Sequence, residues 1–205
     1  TFVRTTFPTK NNNRMKKVIF VTNNPNKLRE VRQMTNGIDL VSLADCSITE
    51  DIPETSETIE GNSLQKAHYV YDRLSTDCFA DDTGLEVEAL GGEPGVRSAR
   101  YAGESKCSED NITLLLEKLE GCDNRRARFR TVIALIWEGR EHLFEGIVEG
   151  TITRERHGDG GFGYDSVFMP DGYDITFAQM DAASKNAISH RGRAIAKLVD
   201  FLGNN

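Results

Sequence analysis

The sequence predicts an α/β fold, α+β-like in its second half, with helices flanking a mixed β-sheet. Two observations carry this. Short apolar runs alternate with helix-period segments between Lys17 and Leu74, the pattern of strands joined by helical crossovers. Between Ala127 and Ile152 the chain instead reads as long strands folded directly back on one another. A sheet drawing on both stretches must mix parallel and antiparallel pairs. A chain of 205 residues is long enough for one domain with a full core, expected over 15–205.

The elements follow in order. Lys17 to Thr22 is a short apolar run suited to a buried strand, and Asn26 to Met34 has helix-forming composition. Ile38 to Leu43 offers a second strand. Leu64, Ala67, Tyr71 and Leu74 recur at intervals of three and four, one face of a helix over Asn62 to Leu74. Phe79, then Leu85, Val87 and Ala89 alternating with Glu86 and Glu88, predict two strands meeting at an Asp82-Thr83-Gly84 turn. Ile112, Leu115, Leu116 and Leu119 mark a helix that Ser108 or Asp110 can cap and Gly121 can end. The long strands turn at Glu138-Gly139-Arg140. Ile188, Ile195, Leu198, Val199 and Leu202 predict a closing amphipathic helix. Residues 1–14 are polar and aperiodic ahead of Met15, and are read as a leader or non-native extension, expected to be disordered.

Composition narrows the function classes. Thirty-two acidic residues against 25 basic give a net charge of -7, which disfavours a nucleic acid polymer as partner, because such binding needs clustered Lys and Arg. No run is long and apolar enough for a membrane span, so no membrane partner is expected. Cys46, Cys78, Cys107 and Cys122 lack C-x-x-C spacing and the four histidines are scattered, which argues against zinc. Reduced thiols in a cytoplasmic protein are the expectation.

Four constellations carry chemistry. Thr22-Asn23-Asn24-Pro25-Asn26-Lys27 lies between the first strand and helix, where unsatisfied N–H groups, the helix dipole and Lys27 make a phosphate cradle; the alternative is an ordinary capped helix start. It is not a Walker A loop. Asp81 and Asp82 end an apolar run, and with Glu54 they suit a hard cation that also takes phosphate oxygens; an Asx-type turn is the other reading. Phe162-Gly163-Tyr164-Asp165 closes a glycine-rich loop where an aromatic face can stack on a base, unless the aromatics simply anchor the loop. Lys185, His190 and Arg191 cluster at the start of the last helix, as donors for carbonyl or phosphate oxygens or as ordinary basic residues of a helix end.

The ordered motifs T-x-N-x-x-K, D-I-P-E, A-D-D-T-G-L with A-L-G-G-x-P-G-V-x-S-A-R-Y-A-G, G-G-F-G-Y-D and S-H-R-G resemble the inosine/xanthosine triphosphate pyrophosphatase family, from about Lys17 to Leu202. The resemblance implies hydrolysis of ITP, XTP and dITP to monophosphate and pyrophosphate with Mg²⁺, and an elongated homodimeric protein whose two lobes flank a central cleft. It implies that Thr22 to Lys27 hold the triphosphate, with Asn24 and Lys27 foremost. Glu54 and Asp82 position the metal, with Asp81 in support, and Asp82 is the catalytic base with Thr83 on the substrate beside it. Phe162 to Asp165 line the base and sugar pocket, and Lys185, His190 and Arg191 read the purine edge; Arg100 can approach the substrate. Asn23 stands where many members carry Gly, and Thr83 where many bacterial members carry Ser. A related pyrophosphatase for other modified nucleotides and a non-hydrolysing nucleotide sensor are the competing readings.

Overall fold

In the computed structural model, which describes residues 16–205, twelve regular elements build the chain. They are β1 (Lys16–Phe20), α1 (Pro25–Met34), β2 (Ile38–Ser42), α2 (Ile59–Leu74), β3 (Cys78–Val87), β4 (Pro94–Gly95), α3 (Ser108–Lys118), β5 (Arg126–Trp137), β6 (Arg140–Ile152), β7 (Phe168–Pro170), α4 (Ala182–Ile188) and α5 (His190–Asn204). The expectations for residues 1–14 and for a start at Met15 lie outside the described residues. The strands form one open sheet in the order β2-β1-β3-β5-β6-β7, with β4 pairing β3. β1 runs parallel to β2 and β3, and the later pairs are antiparallel, the mixed sheet expected.

Helices cover both faces of the sheet's first half. On one face Ala67 and Val70 of α2 pack on Ile19, Cys78, Ala80, Ala134 and Ile136; on the other, Ala194, Ile195 and Leu198 of α5 pack on Val18, Phe20, Phe79, Ile133 and Leu135. A third cluster lies at the far end, where Ile112 and Leu115 of α3, with Leu119 just past its end, meet Leu85, Val87, Phe129, Phe168 and Phe177. The chain thus has two packed halves with a cleft between them. β5 records the change: Arg126, Arg128 and Arg130 alternate with buried Ala127, Phe129 and Thr131, whereas every residue from Thr131 to Ile136 is buried. The hairpin turns at Glu138 and Gly139, whose φ values of 49 and 74 suit a two-residue turn with both residues left-handed.

Three local expectations are corrected. There is no turn at Asp82-Thr83-Gly84: β3 runs unbroken through it, every residue from Cys78 to Val87 pairing with β5. Gly84 serves close approach, since a Cβ there would sit 2.7 Å from the Gly95 carbonyl oxygen on β4. The buried face of α2 is wider than the one predicted. Of the four expected residues Ala67 is buried, Leu64 and Tyr71 are partly buried against the core and Leu74 is 40% exposed, while Ile59, Asn62, Ser63, Lys66 and Val70 also turn inward. The polar members are tolerated because they are bonded, Ser63 Oγ donating to the Val132 carbonyl at 2.7 Å. α3 starts after Cys107 with no side-chain cap, so neither Ser108 nor Asp110 caps it.

Candidate active site

A cleft of about 570 Å³ runs between the two halves. At one end lies the β1–α1 loop. Pro25 occupies the first turn of α1, and the Asn24 side chain accepts from the amides of Asn26 at 2.9 Å and Lys27 at 3.2 Å. Thr22 Oγ1 accepts from the Asn24 amide at 3.1 Å. The expectation of free N–H groups here is corrected, because the loop spends these donors on its own cap. Positive charge at this end comes instead from Lys27, Lys66 and Arg100, all on the cleft wall.

The centre of the site is β3. Successive strand residues point to opposite faces, so the adjacent aspartates enter different surroundings. Asp81, 1% exposed, turns toward α5: Lys27 Nζ lies 3.1 Å from its Oδ1 and Arg191 Nε 3.2 Å from its Oδ2. Burial by itself would raise its pKa, but Lys27, Arg191 and Lys66 hold it well below the usual carboxylate range. Asp82 turns toward α2, accepting from Asn62 Nδ2 at 3.3 Å with Lys66 Nζ 3.6 Å away. There burial outweighs Lys66 and Lys27, and the Asp82 carboxyl is pushed above its ordinary value.

Lys66 ties this centre to the 51–54 loop. Its ammonium lies 2.5 Å from Glu54 Oε1 and donates to the Asp81 carbonyl at 2.8 Å, while Arg100 reaches the other Glu54 oxygen at 2.8 Å. Burial works to raise the Glu54 pKa, yet Lys66, Lys27 and Arg100 bring it below the ordinary value. Burial likewise opposes charge on Lys66, but Asp82, Glu54 and Asp81 outweigh it and its pKa rises. One cation therefore sits between the Glu54 and Asp82 carboxylates.

At the other end a ring of charge surrounds an aromatic pocket. Asp165 Oδ2 accepts from the Phe162 amide at 2.8 Å and from Lys185 Nζ at 2.6 Å, fixing the glycine-rich loop. Glu30 of α1 bridges Lys185 at 2.7 Å and Arg191 at 2.6 Å. Lys185 Nζ and Arg191 Cζ lie 5.0 and 5.6 Å from the Phe162 ring centre, within cation–π range. Tyr164 anchors from behind, its hydroxyl donating to the Ser98 carbonyl at 2.9 Å. His190 stacks on Phe129 at 4.5 Å, and its buried Nδ1 has no partner among the described residues. Burial, then Arg191 and Lys185, keep the imidazole well below its usual pKa and so neutral.

A family model described as the Ham1 family matches residues 18–201. The chain belongs to the Ham1 family. It is 54% identical to the dITP/XTP pyrophosphatase of Porphyromonas gingivalis over 92% of this chain and 98% of that one, and 51% identical to the enzyme of the same name from Flavobacterium johnsoniae over 91% and 97%. The Staphylococcus aureus Ham1 protein superposes with a TM-score of 0.84 at 38% identity, covering 92% of this chain and 99% of that one. A HAM1 protein from Coxiella burnetii gives 0.85 at 35% identity, over 93% and 100%.

In this Ham1-family chain the cleft wall gathers Thr22, Asn23, Asn24, Pro25, Asn26 and Lys27, then Glu54, Asp82 and Thr83, and finally Phe162 to Asp165, Lys185, His190 and Arg191, with Arg100 beside them. Asp81 lies behind the wall, both carboxylate oxygens taken by cations. Sequence reasoning missed Lys66 and Glu30. Lys66 had a readable signal, since it follows Asn62 by four on a helix face that also carries Ala67 and Val70. Glu30 sits in a polar helix with Val31 as its buried residue, where nothing in the pattern marks it.

Proposed function

We propose that residues 15–205 form one catalytic domain that hydrolyses non-canonical purine nucleoside triphosphates, ITP, dITP and XTP, to the monophosphate and pyrophosphate. The observation that carries this is Asp82: a buried carboxylate with raised proton affinity, on a cleft wall between a cation-rich loop and an aromatic pocket. The names of the Porphyromonas and Flavobacterium relatives support the same substrate class.

In this reading the triphosphate lies along Thr22 to Lys27 and the purine on Phe162. Asp82 orients a water in line with the α-phosphorus and accepts its proton, and pyrophosphate leaves. Lys27 and Lys66 offset charge gathering on the departing oxygens. Glu54 and Asp82 would hold Mg²⁺. Their donor set fits it: two carboxylates from separate segments already converge on one cation, the Lys66 ammonium. When bound, the ion supplies charge neutralisation on phosphate oxygens. Asp81 is a support for Lys27 and Arg191 rather than a ligand.

Purine choice follows from donors. Lys185, Arg191 and His190 meet the 6-oxo acceptor of hypoxanthine or xanthine, whereas the 6-amino group of adenine leaves them unpaired, at roughly 1–3 kcal/mol per lost partner. A cytoplasmic homodimer is the state we propose for the working enzyme. The deciding experiment measures pyrophosphate from ITP with Mg²⁺ against an EDTA control and an ATP arm. We expect pyrophosphate release, abolished by EDTA, with kcat/KM for ITP far above that for ATP. Release of orthophosphate alone would remove the reading, and equal values for ITP and ATP would remove the edge assignment.

A further inference from the structure

Thr131 stands in the middle of β5, directly opposite Thr83 in the β3–β5 ladder, and is 0% exposed. Among the described residues its hydroxyl has one partner, Thr83 Oγ1 at 2.6 Å. A hydroxyl buried this completely needs an acceptor for its hydrogen, and Thr83 Oγ1 is the acceptor within reach. Thr131 therefore donates and Thr83 accepts. Arg191 Nη2 points at the same oxygen from 3.3 Å, so Thr83 accepts twice. A hydroxyl oxygen has two acceptor positions and one hydrogen. With both acceptor positions filled, the Thr83 hydrogen is left for a third direction, and Thr83 itself lines the cleft. The reverse arrangement, Thr83 donating to Thr131, would strand a fully buried O–H with no acceptor.

We infer that Thr131 is a positioning residue: by donating to Thr83 it converts that hydroxyl into a fixed donor aimed into the cleft, matched to an anionic phosphate oxygen. Phosphate is indicated because Thr83 shares its strand face with Asp81, which holds Lys27 at the end of the Thr22–Lys27 loop. The inference rests on the nucleotide reading above. It goes beyond an ordinary cross-strand threonine pair, whose role would be confined to sheet pairing.

The test compares Thr131→Val, which deletes the hydroxyl at nearly constant volume, with Thr131→Ser, which keeps it. We expect kcat/KM for ITP to fall about tenfold in Thr131→Val, as for one lost hydrogen bond to a charged group. The ITP:ATP ratio should stay at the wild-type value, since the donor meets phosphate and not base, and Thr131→Ser should return activity to within about twofold of wild type. Calorimetric binding of inorganic tripolyphosphate, which needs no turnover, should weaken in step. In a Thr83→Ala background the Thr131→Val effect should vanish, because the two act through one hydrogen. Should the valine variant fail to fold, Thr131→Ala makes the same deletion. Wild-type kcat/KM and tripolyphosphate affinity in the deletion variant would overturn the inference, as would a serine variant as impaired as the valine one. Absence of pyrophosphate release by the wild type would instead strike the proposed function, with the tripolyphosphate arm still reading Thr131.

Discussion

The two faces of β3 carry neighbouring aspartates of identical chemistry, and the fold makes them opposites. On the α5 face, Asp81 has a cation within 3.2 Å of each oxygen, and attraction overrides burial. On the α2 face, Asp82 has its nearest cation at 3.6 Å, that cation is shared with Glu54, and burial overrides attraction. The lesson is that a buried carboxylate is held charged or pushed toward protonation by the balance of the cations around it against burial and neighbouring carboxylates. The fully matched residue is withdrawn from the cleft and the under-matched one lines it.

The sharpest way to break this comparison is Asp82→Asn. Removing the base should lower kcat for ITP by roughly 10²–10⁴-fold. The same change removes a charge that burial disfavours, so resistance to urea should be unchanged or higher. A large stability loss would mean that Asp82 is an anchor like its neighbour. Next in size is Asp81→Asn, which leaves Lys27 and Arg191 buried beside a neutral amide. It should cost about 3 kcal/mol of folding stability, read from the urea midpoint, in the manner of a broken buried ion pair. If Asp81→Asn proved as stable as wild type, the division of labour between the faces would fail.

The smallest effect concerns His190, which stands behind the α5 face among Arg191 and Lys185. Its folded pKa lies below the unfolded value of about 6.5, so the unfolded chain takes up the proton first as pH falls. The stability tied to the neutral ring is therefore complete above about pH 6.5 and is lost as pH drops toward the folded value. His190→Gln should flatten the dependence of stability on pH between about 6.5 and 5 by up to ~1.4 kcal/mol per pH unit. Urea titrations at pH 7, 6 and 5 measure it, and an unchanged slope would mean that the buried ring does not govern this range.

Much of this molecule is legible in its residues, and the failures have causes. The α1 start is local chemistry: Pro25 and the Asn24 cap lie next to the amides they serve. The β5–β6 hairpin is local too, since Glu138-Gly139 is a two-residue link between two long strand-forming runs. β3 misleads because Asp-Asp-Thr-Gly has turn composition, and what keeps it extended comes from elsewhere: the β5 strand pairs it from Cys78 to Val87, while cations from α1, α2 and α5 meet its aspartates. The face of α2 misleads for the same reason, because Asn62 and Lys66 read as solvated until Asp82 and Glu54 are placed opposite them.

By itself, the sequence determined the larger strands and helices, the mixed sheet and, through its ordered motifs, the family, because period, caps and motifs act over a few residues. Tertiary structure alone decided which of the two adjacent carboxylates is withdrawn behind the cleft wall, that Lys66 and Glu30 bond to residues of that wall, and that the Thr83 and Thr131 hydroxyls meet across the ladder. Those outcomes depend on charges and hydroxyls brought within about 3 Å from residues tens of positions away, and distance in space, not spacing along the chain, sets electrostatic and hydrogen-bond energies.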